Sequence, residues 1–184
     1  MDRRLVDRAK AGDHDAFAEL ARVSIGRLYA IARLILRDPV KAEDATQEAL
    51  VAAWRDLSGL RDPDAFEPWL RRLLVHQCYR EARRARSRPV IDRDVRFTEP
   101  SVADPSDRLA DRDELERGFR HLDTEQRAIL VLRFYAGLSL PEVAPSLGIP
   151  EGTAKSRLHR ATQALRAALE ADARTSLLNE GRPV

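Results

Sequence analysis

The chain has 184 residues, 43% of them hydrophobic and 34% charged, with a net charge of +2, enough for packed cores in one large or two small domains. Its single cysteine, Cys78, excludes an internal disulfide and any multi-cysteine zinc site. The near-neutral total hides a segmentation, because residues 89–118 carry nine acidic against five basic side chains while both flanks are net basic.

Met1-Asp2-Arg3-Arg4 leads into a charged, helix-like stretch without the apolar core of a signal peptide. The greasiest segment, residues 28–36, is interrupted by Arg33 and is too short to span a bilayer. The expectation is a cytoplasmic protein with no membrane insertion.

Helical periodicity runs through almost every segment and no strand-like alternation persists, so the predicted fold class is all-α. A short helix over 2–11 stops at Gly12. Asp13 or Asp15 caps a second, in which Phe17, Leu20, Ala21, Ser24, Leu28, Ile31 and Ile35 trace one stripe. Asp38-Pro39 breaks it. A third helix over about 40–57 sets Asp44, Gln47, Glu48, Val51 and Arg55 on one face, with Leu50, Ala53, Trp54 and Leu57 on the core side.

The fourth helix, over about 64–86, is basic. Arg72, His76, Tyr79, Arg80 and Arg83 share a face beside Trp69, separate from the face of Leu70, Leu73 and Leu74, and Arg84, Arg86 and Arg88 prolong the charge. A cationic face with interleaved aromatic rings suits single-stranded nucleic acid, which offers phosphates to the charges and bases to the rings. Residues 89–108, with Pro89, Pro100 and Pro105 among Asp92, Asp94, Glu99, Asp104 and Asp107, have no apolar period and read as an extended acidic linker or a plain tether.

A further helix follows Asp107, presenting Leu115, Phe119 and Leu122. Asp123 with Gln126 has the spacing of a capping box before Ile129, Leu130, Leu132 and Phe134, and Gly137 ends that helix. Ser139 with Glu142 makes a second box. From there a short amphipathic helix, the turn Gly148-Ile149-Pro150 and a last helix have helix-turn-helix spacing. The last helix turns Ala154, Leu158, Ala161 and Leu165 inward and Lys155, Ser156, His159 and Arg160 outward, where they can meet base edges and phosphates in a major groove. Thr153 is placed for a phosphate. Residues 173–184 read as a tail with a short helix near 176–178.

Enzyme chemistry finds no support. His76 and Cys78 lie two apart on one helix and point in different directions, so they cannot pair as base and nucleophile. His14, His121 and His159 lack metal-ligand spacing and no Gly-rich phosphate loop occurs, so no catalytic residue, cofactor or metal is expected.

The run Gly152-Thr153-Ala154-Lys155-Ser156-Arg157-Leu158-His159-Arg160-Ala161, preceded by Leu138-Ser139-Leu140-Pro141-Glu142-Val143-Ala144, resembles the C-terminal promoter-reading domain of bacterial extracytoplasmic-function sigma factors. Asp44-Ala45-Thr46-Gln47-Glu48-Ala49-Leu50 resembles the sigma segment that grips the polymerase clamp helices, and Phe66, Trp69 and Leu70 fit the family's Phe-x-x-Trp-Leu arrangement. An ordinary helix-turn-helix regulator could share the C-terminal segment, but not easily the first half.

The resemblance implies a sigma region 2 domain over 1–88, the linker over 89–108 and a region 4 domain over 109–172. Asp44, Gln47, Glu48, Val51 and Arg55 would bind core RNA polymerase, and residues 122–137 would help dock the second domain on the polymerase flap. The loop 58–63 with Leu60 and Arg61, then Phe66, Trp69, Arg72, His76, Tyr79, Arg80, Arg83 and Arg84, would capture the melted −10 element. Thr153, Lys155, Ser156, Arg157, His159 and Arg160 would read the −35 duplex, and an anti-sigma factor is a partner that small sigma factors often have. Where this chain has His76 and Arg80, many relatives have Asn and an acidic or amide side chain.

Overall fold

The computed structural model describes residues 2–86 and 107–180, with side chains at 2–85 and 113–174. The first half holds α1 (Arg3–Lys10), α2 (His14–Leu36), α3 (Pro39–Asp56), two single 3-10 turns (Leu57–Gly59 and Pro63–Ala65) and α4 (Phe66–Arg86). The second holds α5 (Asp107–Arg120), α6 (Thr124–Leu130) running into a π-turn (Val131–Tyr135), α7 (Leu140–Leu147) and α8 (Glu151–Glu180). Among the described residues there is no strand, as the periodicity predicts.

Aspartates start the helices of the first half. Asp2 accepts from the Arg4 amide at 2.9 Å, and Asp13, not Asp15, accepts from the Ala16 amide at 3.0 Å. Asp38 takes the Val40 and Lys41 amides at 3.0 and 3.1 Å, with Pro39 at the first position of α3, where its missing N–H costs nothing. The turn before it is tight enough to put Arg37 in the left-handed region, at φ 58°.

The first core is built on size contrast. Ala42, Ala45, Ala49 and Ala53 are fully buried along one side of α3, so its backbone lies close to the large side chains Leu20, Ile31, Ile35, Phe66 and Leu74. Thr46 joins that alanine face and donates its hydroxyl to the Ala42 carbonyl at 2.7 Å, which leaves no buried polar group unpaired there. Cys78 is also in this core, and burial pushes its thiol up to about 12.

In the second half, Leu122, Ile129, Leu132, Val143, Ala154 and Ala161 form the core. α5 packs on α8 at Gly118, where a Cβ would come within 2.7 Å of Leu169. Both predicted capping boxes form: the Gln126 amide reaches Asp123 at 2.8 Å, and the Ser139 amide and hydroxyl reach the Glu142 carboxylate at 2.8 and 2.6 Å. The Ser139 contacts hold the Glu142 carboxyl below its ordinary range.

Three features depart from the sequence expectation. The end of the predicted α6 widens into a π-turn, with the Ala136 amide bonded to the Val131 carbonyl at 2.9 Å. The last helix runs unbroken to Glu180, because residues 172–180 contain neither Gly nor Pro to stop it, so the tail is helical over most of its length. The acidic linker lies outside the described residues, except that 107–108 already open α5. The halves also touch: α7 packs on α4, and α6 on α2 and α4.

Candidate nucleic-acid interface

On α3, Asp44, Gln47, Glu48, Val51 and Arg55 are all exposed, while the opposite side is the buried alanine face. Val51 is 60% exposed, an apolar contact point amid carboxylates and an amide. The face does not stop at the helix edge. Lys41, Asp44, Gln47 and Glu48 form one wall of a broad groove of about 910 Å3, and Glu81, Arg83, Arg84 and Ala85 of α4 form the other. The α4 wall is absent from the sequence expectation for this surface, since only the fold brings the two helices together. Trp54, expected in the core, sits at the rim, 37% exposed and stacked 4.7 Å from the His14 ring and 4.9 Å from Phe17.

Along α4 the structure divides the predicted DNA-facing residues. Arg72, His76, Arg80, Arg83 and Arg84 are exposed, as is Arg61 in the preceding loop. Leu60 and Phe66 are not. Phe66 is 1% exposed and Leu60 is 8% exposed, so both are core residues that brace the 58–63 loop and cannot touch a nucleic acid in this arrangement. Trp69 is half-buried, its ring 6.0 Å from that of Phe66.

Tyr79 is half-buried, and its hydroxyl is buried with no hydrogen-bonding partner among the described residues. Burial raises its pKa, so the phenol stays neutral. Arg71, not singled out by sequence, is 7% exposed and donates to Glu67 at 3.2 Å. Desolvation lowers its pKa and the Glu67 carboxylate opposes that shift.

The first turns of α8 present Lys155, Ser156, His159 and Arg160 to solvent, over a fully buried Ala154 and Ala161. Thr153 is half-buried, with its carbonyl accepting from the Ser156 hydroxyl at 3.0 Å. Arg157 departs from the outward row. It turns back onto α6 and pairs with Glu125 at 2.9 Å. Among the described residues no group of His, Cys, Asp and Glu side chains is arranged to hold a metal ion, and no helix is long and apolar enough to cross a membrane.

Two family models match the two halves: Sigma-70 region 2 over residues 20–88 and Sigma-70, region 4 over residues 118–167. The ECF RNA polymerase sigma factor SigM of Mycobacterium tuberculosis is 35% identical over 151 residues, covering 82% of this chain and 76% of its own. The chain belongs to the ECF sigma factors of bacterial RNA polymerase. Within this ECF sigma factor, region 2 comprises most of α2, α3 and α4, and region 4 runs from the end of α5 into α8.

The ECF sigma factor SigW of Bacillus subtilis is 29% identical over 178 residues, covering 90% of this chain and 95% of its own. Among solved structures, CnrH in complex with the cytosolic domain of CnrY is 31% identical with a TM-score of 0.64, covering 93% of this chain and 98% of that one. This ECF factor is therefore a promoter-recognising subunit for RNA polymerase.

Proposed function

We propose that this ECF sigma factor divides its work among three surfaces: the α3 face holds the polymerase clamp helices, the α4 face holds the melted −10 strand, and the start of α8 reads the −35 duplex. The observation that carries this reading is the presence, on one chain, of an exposed Asp44, Gln47 and Glu48 face and an outward Lys155, Ser156, His159 and Arg160 row.

Each surface has the chemistry its task needs. The α3 face offers carboxylates and an amide around an exposed valine, fit for a helical partner with basic side chains. Arg72, His76, Arg80, Arg83 and Arg84 can neutralise the backbone of a displaced strand, while Trp69 and Tyr79 offer faces on which an unstacked base can lie. The α8 row presents donors of the kind that pair with guanine and with phosphate in a major groove.

The role is one of binding, in the cytoplasm where polymerase and chromosome meet, with no catalytic residue of its own. An anti-sigma factor is a further partner in this reading, supported by the CnrH structure, which was solved with the cytosolic domain of CnrY. Run-off transcription from genomic promoter fragments tests the whole proposal. Core polymerase with this protein is expected to start at discrete promoters that core alone ignores, and Gln47→Ala with Glu48→Ala together is expected to abolish that gain by weakening core binding. An unchanged affinity of the double variant for core would overturn the α3 assignment.

A further inference from the structure

Arg157 stands in the middle of the run that the sequence assigns to the −35 duplex, between the exposed Ser156 and His159, yet it points elsewhere. A step of one residue turns it about 100° round the helix from Ser156. Its guanidinium meets the Glu125 carboxylate, in the first turn of α6, at 2.9 Å. Only 34% of the Arg157 side chain is exposed.

The pair sits in a cleft of about 210 Å3, where Asp123, Glu125, Gln126 and Ile129 of the α6 segment face Arg157 and Arg160 of α8. Two carboxylates therefore stand beside Arg160. Asp123 is the cap of α6 and accepts from the Gln126 amide at 2.8 Å. Glu125 is engaged with Arg157 instead. An ion pair this exposed contributes little to stability, because water screens it and two long side chains lose freedom to form it. Its effect on DNA binding is larger. A free arginine on this helix adds a phosphate contact to duplex of any sequence, with release of counterions. Paired, Arg157 presents no net charge. To reach outward it must leave both the cleft and the carboxylate, and the carboxylate left behind repels the same phosphate.

We propose that Glu125 sets the affinity of the −35 reader by holding Arg157 off the duplex. Sequence-independent attraction then stays small, and Lys155, Ser156, His159 and Arg160 decide where the protein binds. The proposal rests on the assignment of the start of α8 to the −35 duplex. Glu125 is a positioning residue in this scheme, since it touches Arg157 and not DNA. Arg157 leaves the set of contacts that the recognition run suggests. Removing the Glu125 carboxylate is then a gain of function: duplex of any sequence binds more tightly, and promoters with poor −35 elements come into use.

The test is a double-mutant cycle in the full chain assembled with core polymerase: Glu125→Gln, Arg157→Gln and both together. The DNA is a promoter found by run-off transcription, and the same fragment with its −35 element scrambled. Affinities over a range of salt concentrations give the salt slope. Glu125→Gln is expected to tighten binding to both fragments by about three- to tenfold and to steepen the slope by about one. Glu125→Ala, which removes the charge by a different side chain, should reproduce this. Arg157→Gln alone should keep the native slope with affinity within about threefold, and in the double variant it should erase the gain.

A pair that merely braced α6 on α8 would lower the unfolding temperature when broken and leave the salt slope alone. A native slope in both Glu125 variants would therefore overturn the proposal. So would an Arg157→Gln protein whose slope falls by about one, because Arg157 would then already touch phosphate. Arg160→Ala separates these failures from a failure of the −35 assignment. If Arg160→Ala weakens promoter binding while the Glu125 variants behave as native, only the role of Glu125 falls. If Arg160→Ala binds as native and scrambling the element changes nothing, the start of α8 is not the reader, and the role of Glu125 falls with it.

Discussion

The two helices proposed to face DNA, α4 and α8, would solve different problems with the same residue types. On α8 the outward side chains stand on two fully buried alanines and lie open to solvent, as the proposed reading of an intact duplex requires. On α4 the arginines are open but the aromatic partners are not: Trp69 and Tyr79 are half-buried. Charge can meet a duplex from outside, whereas a base can be stacked only after strands part and the rings are uncovered. In the proposed division of work, the α8 row is exposed as it stands, whereas the α4 rings are only partly so.

The largest expected effect breaks the comparison on the α8 side. Replacing Lys155, Ser156, His159 and Arg160 together with Ala should remove the −35 preference, weakening binding to that element by about a hundredfold or more, since each good base contact is worth about 1–3 kcal/mol. Helicity should hold, because Ala favours helix. A footprint of the intact holoenzyme in which −35 protection persists would remove α8 as the reader.

Next comes Phe66→Ala, which separates bracing from contact on α4. With Phe66 1% exposed, the substitution should cost about 3–5 kcal/mol of region 2 stability. Urea unfolding measures the loss. A stable variant with a selective defect in −10 binding would return Phe66 to the DNA surface.

The smallest effect sharpens the contrast. Tyr79→Phe keeps the ring and removes a hydroxyl that is buried without a partner, so stability should stay level or rise by about 1 kcal/mol, while stacking on a captured base survives. Permanganate reactivity of melted thymines and thermal unfolding together check this. A marked loss of stability would mean that the hydroxyl is bonded in solution.

Much of the molecule was legible in the sequence because its signals are local. The Asp123–Gln126 and Ser139–Glu142 boxes, the Gly148 turn and the exposed α3 row each follow from a spacing of a few residues. What was not legible depends on packing between distant segments. Phe66 and Trp69 share one motif, yet the fold sends the first into the core and the second to its edge. Arg157 lies in the middle of the recognition run but finds Glu125, thirty-two residues away. Trp54 is apolar and on the expected side of α3, yet the His14 and Phe17 rings hold it at the rim. The continuation of α8 was missed for a different reason: a helix without a stop signal ends where packing and solvent decide, and no spacing reports that.

Cys78 gives the molecule an internal clock. Its sulfur is fully buried in the region 2 core, and a thiol pushed up to about 12 supplies almost no thiolate at physiological pH. Alkylating and oxidising reagents can therefore reach it only in molecules whose region 2 has come apart. The rate at which the chain takes up such a label counts those excursions, in a cell as well as in a cuvette, without any engineered probe.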